Sequence, residues 1–257
     1  MAAPARQAAN SRPANKSEFL IATIARRLPD SGHFVAGAIS PIPAAAVLLA
    51  EHQSAGRVRA TVLGSANHYR FSDGGRELFD AAGRGRVDVF FLSGGQIDGQ
   101  ANINLVGTGS YPKSDMRFPG SFGSGYLYYV VPNVILFREE HSKRVLVPKV
   151  DFVSAPGVSP PDVYRPGGPT ALVTGRAVFA FDRAAGRFRL ESTHPGSKLD
   201  DIIENTGFEF DRDGETPTTP EPSAEILDLI RGPVRDVVSG TYPEFANKLD
   251  GGALTGR

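Results

Sequence analysis

Residues 87–125 read VDVFFLSGGQIDGQANINLVGTGSYPKSDMRFPGSFGSG. The run Val87 to Leu92, apolar but for Asp88, has the composition of a strand buried on both faces, as in a mostly parallel sheet. Ser93, Gly94 and Gly95 break it off abruptly. Gln96, Asp98, Asn102 and Asn104 then place polar groups where the chain leaves the sheet, and a second Gly/Ser-rich loop runs from Gly120 to Gly125. In open parallel sheets ligands bind beyond the carboxyl ends of the strands, so this stretch marks both the fold and the expected site.

Outward from it, the pattern is one of alternating strands and helices. Residues 17–28 place Phe19, Leu20, Ile24 and Leu28 on one helical face, with Ser17 as the expected N-cap. His33–Ile39 reads as a strand. Pro41 suits the first turn of a helix that Gly56 can end. Arg59–Leu63 is a second strand, and Arg76–Ala82 a short helix. Tyr126–Val131 is open between helix and strand, Val134–Phe137 is a strand, and Val145–Val153 reads as one or two more. The Pro/Gly-rich run Ala155–Pro169 is a loop. Ala177–Phe181 and Arg187–Glu191 form a hairpin around Asp182–Gly186. Lys198–Asn205 is a helix stopped by Gly207, Glu209–Pro222 is irregular, and Glu225–Arg231 is the last helix. The expected class is α/β, with a mostly parallel central sheet flanked by helices. The expected layout is a disordered tail over 1–16, a single domain over 17–235 and a flexible tail over 236–257.

Composition narrows the partners. The 257 residues carry 28 Lys+Arg against 28 Asp+Glu, so no global field draws nucleic acid or an anionic membrane. There is no cysteine, hence no disulfide, thiolate nucleophile or thiolate metal site. No apolar run approaches the roughly 18 residues of a membrane span, and the first sixteen residues lack the apolar core of a signal peptide. The cytoplasm is the expected location. His33, His52 and His194 lack metal-ligand spacing and His141 lies in a mixed charge run, so no metal site is expected.

The order of several motifs resembles a known family. Gly94-Gly95-Gln96-Ile97-Asp98, Asn102-Ile103-Asn104 and Arg117-Phe118-Pro119-Gly120 are followed by the glycine loop to Gly125, the Arg144 region and Lys149 to Gly157. Leu172-Val173-Thr174, His194-Pro195-Gly196 and Glu204 to Phe208 come in the same order. Over roughly residues 17–235 the chain is similar to the B (β) subunit of the glutaconate CoA-transferase type, within the class I CoA-transferases. That resemblance implies a CoA-transferase-like α/β subunit paired with a homologous α-type subunit, usually as α2β2. It implies an acyl-CoA substrate at a site between the two chains, with coenzyme A as part of the substrate and no bound cofactor.

The transferases of this family use a B-subunit glutamate, on the loop after an early strand, that attacks the thioester carbonyl. Here the corresponding segment is Thr61-Val62-Leu63-Gly64-Ser65-Ala66-Asn67-His68, and no Asp or Glu occurs between Glu51 and Asp73. The resemblance also reaches members with other chemistry: ring-opening hydrolases of cyclic β-oxo acyl-CoAs that rely on an α-subunit glutamate, and decarboxylases of glutaconyl-type CoAs that use a B-subunit cysteine. With neither carboxylate nor cysteine, the chain is expected to be the β-type subunit of a ring-opening, C–C bond-cleaving hydrolase. CoA transfer, decarboxylation and a non-catalytic acyl-CoA-binding subunit are the alternatives.

The candidate residues follow. Backbone N–H groups and side chains of Gly94, Gly95, Gln96, Gly120, Ser121, Gly123, Ser124 and Gly125 are the expected substrate and oxyanion contacts. Asp98, Asn102 and Asn104 are expected to pin the loop, since short polar side chains bond nearby backbone. Ser65 and Asn67 are candidates for contact with the reacting groups, although Ser65 with His68 lacks a neighbouring carboxylate in sequence. Lys113 and Arg117 suit CoA phosphates as readily as plain surface charge.

Overall fold

The computed structural model describes residues 12–249, which divide into two compact units: the chain up to Phe71 together with Pro220 onward, and Ser72–Thr219. The sequence pattern alone reads as one domain over residues 17–235.

In the first unit, helix α1 (Lys16–Ala25) is capped by Asn15, two residues before the expected Ser17. Only Asn15 has a glutamate three residues on. Its side chain accepts from Glu18 N, and the Glu18 carboxylate accepts from Asn15 N, a capping box. Strand β1 (Gly32–Ala36), helix α2 (Pro41–Gln53) and strand β2 (Val58–Val62) form a βαβ unit with the strands parallel. Helix α2 buries an unbroken run from Ile42 to Ala50 against both strands and α1.

The C-terminal part corrects the expected tail. Helix Ala224–Leu229 runs into the segment Ile230–Val234, which is kinked at Gly232, and on into the helix Arg235–Ser239; a further helix covers Pro243–Leu249. Phe245, Ala246 and Leu249 are buried, so this segment packs as core up to residue 249. The expected tails over 1–11 and 250–257 lie outside the described residues. Residues 12–16, also expected as tail, are tied down. The Arg12 guanidinium donates to both Glu18 oxygens, at 3.0 and 2.7 Å, and to Leu249 O at 2.6 Å.

The second unit opens with helix α3 (Gly74–Gly83), which leads to strand β3 (Val89–Leu92), buried along its whole length. Two small antiparallel pairs follow: β4 (Gln96–Ile97) with β5 (Ile103–Asn104), and β6 (Gly107–Ser110) with β7 (Lys113–Arg117). The sequence pattern assigns no strand to either pair, because strands this short leave little alternation to see. Helix α4 (Ser124–Val130) settles the ambiguous Tyr126–Val131 as helix and packs against α3 and β3.

Strands β8 (Asn133–Arg138) and β9 (Pro169–Thr174) extend the sheet parallel to β3. The hairpin of β10 (Ala177–Asp182) and β11 (Arg187–Thr193) adds two antiparallel strands. After helix α5 (Leu199–Asn205), the short β12 (Asp211–Arg212) runs parallel to β11. Parallel pairs thus dominate the main-sheet ladders of both units, with helices packed on them. The hairpin turn is held by Asp182, whose Oδ1 accepts from Ala184 N and Ala185 N. The expected strands over Val145–Val153 are absent: this segment makes only an isolated bridge from Leu146 to Ile97. Pro148 has no N–H to continue the ladder. Among the described residues, no helix is long and apolar enough to cross a membrane.

Candidate functional site

Strand β3 delivers the chain to Gly94 and Gly95, where the backbone is too crowded for a side chain. A Cβ on Gly94 would lie 2.6 Å from both Gln96 O and Ile103 Cγ2, and one on Gly95 would lie 2.3 Å from the Phe118 ring. Close approach therefore dictates both glycines. The Gly95 N–H is already bonded to Asn104 O at 2.9 Å, and that of Gly120 to Leu105 O at 3.1 Å. The oxyanion-donor roles expected for these two N–H groups are corrected accordingly: in this conformation they brace the loop.

Behind the glycines lies a connected polar network. Gln96, buried, accepts at Oε1 from Asn104 Nδ2 at 2.7 Å and from Asp151 N at 2.9 Å, and donates from Nε2 to Asp151 Oδ2 at 3.0 Å. The same Asp151 oxygen accepts from Gly109 N at 2.9 Å, which ties in the β6–β7 hairpin. Asn104 accepts from Val106 N and Gly107 N and donates to Gly107 O. Asp98 accepts from the backbone of Gln100, Asn102 and Val150 and from the Asn102 side chain. Asn102 Oδ1 accepts from Gly157 N. Asp98, Asn102 and Asn104 therefore pin the loop. Gln96, expected to touch substrate, pins it as well. Asp151 and Ser154, not singled out as candidates from sequence, belong to the same brace, since Ser154 Oγ accepts from Leu105 N and donates to Ile103 O. Their signal was the long run Lys149 to Gly157, whose contact with Gln96 crosses 55 residues.

The Gly120–Gly125 loop leads into α4. Ser124 N donates to Ser121 O at 2.7 Å, and Ser121, Gly123, Ser124 and Gly125 are half-buried. Lys113 and Arg117 stand on the exposed β6–β7 hairpin, with the Arg117 guanidinium 5.7 Å above the Tyr111 ring. A cleft of about 600 Å³ in this unit is lined by Asp98, Asn102, Lys149, Val153, Arg187 and Phe208 among others. None of the five expected donor glycines lines it.

In the first unit, the turn after β2 closes on itself. Val62 N donates to His68 O, Ser65 N to Val62 O, and Leu63 N to Ala36 O at the end of β1. Ser65 is buried, and its Oγ accepts from His68 N at 3.2 Å; Asn67 is exposed. The structure supplies what sequence lacked, a carboxylate beside His68. Glu51, on α2, brings Oε2 to 3.7 Å from His68 Nε2. Its other oxygen accepts from Ala60 N at 2.8 Å and from Arg70 at 3.2 Å, so the group is fixed against β2. Burial lowers the His68 pKa, against the opposing pull of Glu51, and favours the neutral ring.

Three of the remaining histidines, His33, His141 and His194, are buried and structural. His33 Nε2 lies 2.7 Å from Thr61 Oγ1. His141 sits between the hydroxyls of Thr174 and Thr206, and His194 bonds Thr219 and Thr174 O. Among the described residues no cluster of three His, Cys, Asp or Glu side chains could hold a metal.

Residues 15–205 match the family described as Coenzyme A transferase. The chain belongs to the coenzyme A transferase family. Its relatives are of the B (β) type. The B-type chain of glutaconate CoA-transferase from Acidaminococcus fermentans is 31% identical over 150 residues, covering 56% of this chain and 55% of the relative. The cholesterol ring-cleaving hydrolase IpdB subunit of Rhodococcus jostii is 31% identical over 160 residues, covering 61% and 62%. The chain thus spans less than two thirds of the length of the curated relatives it matches.

Among solved structures, Rhodococcus jostii RHA1 IpdAB superimposes with a TM-score of 0.75 at 25% identity, covering 85% of this chain and 94% of that one. The decarboxylase AibA/AibB gives 0.73 at 24% identity, covering 93% and 99%, a likeness of fold. The mostly parallel α/β arrangement and the B-type relationship read from sequence hold for this member of the CoA-transferase family.

Proposed function

We propose that this chain is the B-type subunit of an enzyme acting on an acyl-CoA thioester, completed by an α-type subunit. We further propose that the reaction is hydrolytic C–C cleavage, opening the ring of a cyclic β-oxo acyl-CoA. The observation that carries this reading is the turn over residues 63–68. It holds no carboxylate, and Glu51, which lies beside its His68, is fixed by Ala60 N and Arg70. A covalent transfer route needs a free carboxylate nucleophile at this point. A retro-Claisen route does not. There a base on the partner subunit takes a proton from water, and the resulting hydroxide adds to the ring ketone. The C–C bond then breaks toward the thioester, and the enolate that leaves is reprotonated.

In this reading the chain contributes one wall of the pocket and polar groups for the developing oxyanion. Gly94, Gly123 and Gly125 N–H and the Ser121 and Ser124 hydroxyls are the candidates. No resident cofactor is called for, and coenzyme A enters with the substrate. A pocket shared by two chains also accounts for the donor glycines standing outside the cleft of about 600 Å³. Likeness to the B-type chain of glutaconate CoA-transferase favours CoA transfer as a second reading, with the nucleophile supplied from elsewhere.

The test is to assemble the chain with its α-type partner and supply a cyclic β-oxo acyl-CoA together with a free carboxylate acceptor. The expected product is the ring-opened acyl-CoA, heavier by one water, with none of the CoA on the acceptor. CoA on the acceptor overturns hydrolysis in favour of transfer, carbon dioxide release points to decarboxylation, and an inert complex leaves only a binding role.

A further inference from the structure

Arg165 and Arg183 both line a cavity of about 240 Å³ in the second unit, together with Gly157, Ser159, Pro161 and Val163 among others. Arg165 is held in place by neutral groups. Its Nε donates to Gly167 O at 2.9 Å, Nη1 to Pro156 O at 2.8 Å and Nη2 to Tyr128 O at 2.9 Å. Its guanidinium lies 5.2 and 5.8 Å from the ring centres of Tyr128 and Tyr129. Arg183 donates from Nε to Pro169 O at 3.1 Å and from Nη2 to Gly168 O and Pro132 O, while its Nη1 makes no hydrogen bond among the described residues.

Carbonyl oxygens satisfy these N–H groups but do not cancel the charges. Among the described residues neither guanidinium has a carboxylate partner. Burial lowers the pKa of both, and the neighbouring Arg183 adds to the lowering of Arg165. Two like charges walling one cavity without a counter-charge are a cost that an anion would relieve. A guanidinium with free N–H groups fits a carboxylate or phosphate oxygen pair, and the Ser159 hydroxyl is a further donor at the wall.

We infer that this cavity binds a small oxyanion, a carboxylate or a phosphate, through Arg183 and Arg165. Its size decides against the thioester itself, since pockets for drug-sized ligands run from about 300 to 1,000 Å³. Its place in the fold agrees. Pro132 and Pro169 stand at the amino ends of the parallel strands β8 and β9, whereas the Gly94–Gly95 loop leaves the carboxyl end of β3.

The test measures the thermal midpoint of the full chain in sodium phosphate, in sodium butyrate and in sodium chloride at matched ionic strength. Phosphate, butyrate or both are expected to raise it by about 3–5 °C at tenfold excess over the dissociation constant, and chloride not at all. Arg183→Gln removes the free donors. Val163→Phe fills the cavity from a position 42% exposed, leaving the core untouched. Both variants are expected to lose the response. A phosphate response without a butyrate one assigns phosphate, and the reverse assigns a carboxylate. A midpoint that moves no more than in chloride, or a response that survives in both variants, overturns the inference.

Discussion

Gln96 and Asp151, 55 residues apart in the chain, exchange two hydrogen bonds, Nε2 to Oδ2 at 3.0 Å and Asp151 N to Oε1 at 2.9 Å. The pair joins the loop after β3 to the segment that leads on to Gly157. Because Asn104 and Gly109 bond the same two side chains, the loop and the β6–β7 hairpin share one brace.

Replacing Gln96 by leucine keeps the bulk and leaves Asp151 Oδ2 and Asn104 Nδ2 each short of a partner. A cost of about 1–3 kcal/mol is expected, read as a lower urea midpoint at unchanged slope. In the proposed complex with an α-type subunit the same variant should lower kcat at least tenfold, because it displaces the loop to which the donor role is assigned above. Full activity in Gln96→Leu would show that the brace does not position the site.

Ser65 has its Oγ engaged by His68 N, and the nearby Glu51 is held by Ala60 N and Arg70. Ser65→Ala should therefore lower kcat by less than tenfold in the assembled enzyme. A loss of a thousandfold or more at unchanged KM would identify Ser65 as the nucleophile instead.

Glu18 is fully buried between Arg231, at 2.8 and 3.0 Å, and Arg12, at 2.7 and 3.0 Å. Burial alone would raise its pKa, but the bonds from Arg231, Asn15 N and Arg12 outweigh it and hold the carboxyl below its ordinary value. Arg231→Met should cost about 1–3 kcal/mol, because it removes one of the two guanidiniums that balance the carboxylate and leaves it to Arg12. With a depressed folded pKa, the stabilisation from Glu18 is complete above its unfolded pKa and is lost as pH falls through the folded one. Acid titration of the unfolding free energy should accordingly be shallower below pH 4.5 in the double variant Glu18→Gln, Arg231→Met than in the native chain.

His141 is buried and held neutral. Burial, with Arg176 and His194 adding to it, lowers its pKa from 6.5 to about 4. The unfolded chain binds the proton first, so stability is complete above pH 6.5 and drains away as pH falls toward 4. The loss over that window is about 3 kcal/mol. Replacing His141 with asparagine should remove about one proton's worth of slope between pH 6.5 and 4 in denaturation measurements. An unchanged slope would assign the acid sensitivity to other groups.

The sequence by itself determined the layered α/β class. The run Val89–Leu92, the helix opened by Pro41 and the hairpin around Asp182 each carry their instruction within a few neighbouring residues. It also determined the absence of a carboxylate on the turn after β2, and the resemblance to the B-type CoA-transferase subunits rested on ordered local motifs. What it left out depends on groups distant along the chain. The short pairs β4–β5 and β6–β7 exist because Gln96, Asn104 and Asp151 meet. Val145–Val153 loses its strand because the segment packs on Ile97 instead of entering the ladder. The helices up to Leu249 are held by the buried face of Phe245 and by Arg231 reaching Glu18. Only the tertiary structure could place Glu51 beside His68, turn the Gly95 and Gly120 N–H groups inward, and set Arg165 and Arg183 around one cavity. Hydrogen bonds and charge pairs act through space over a few ångströms, and folding alone decides which residues come that close.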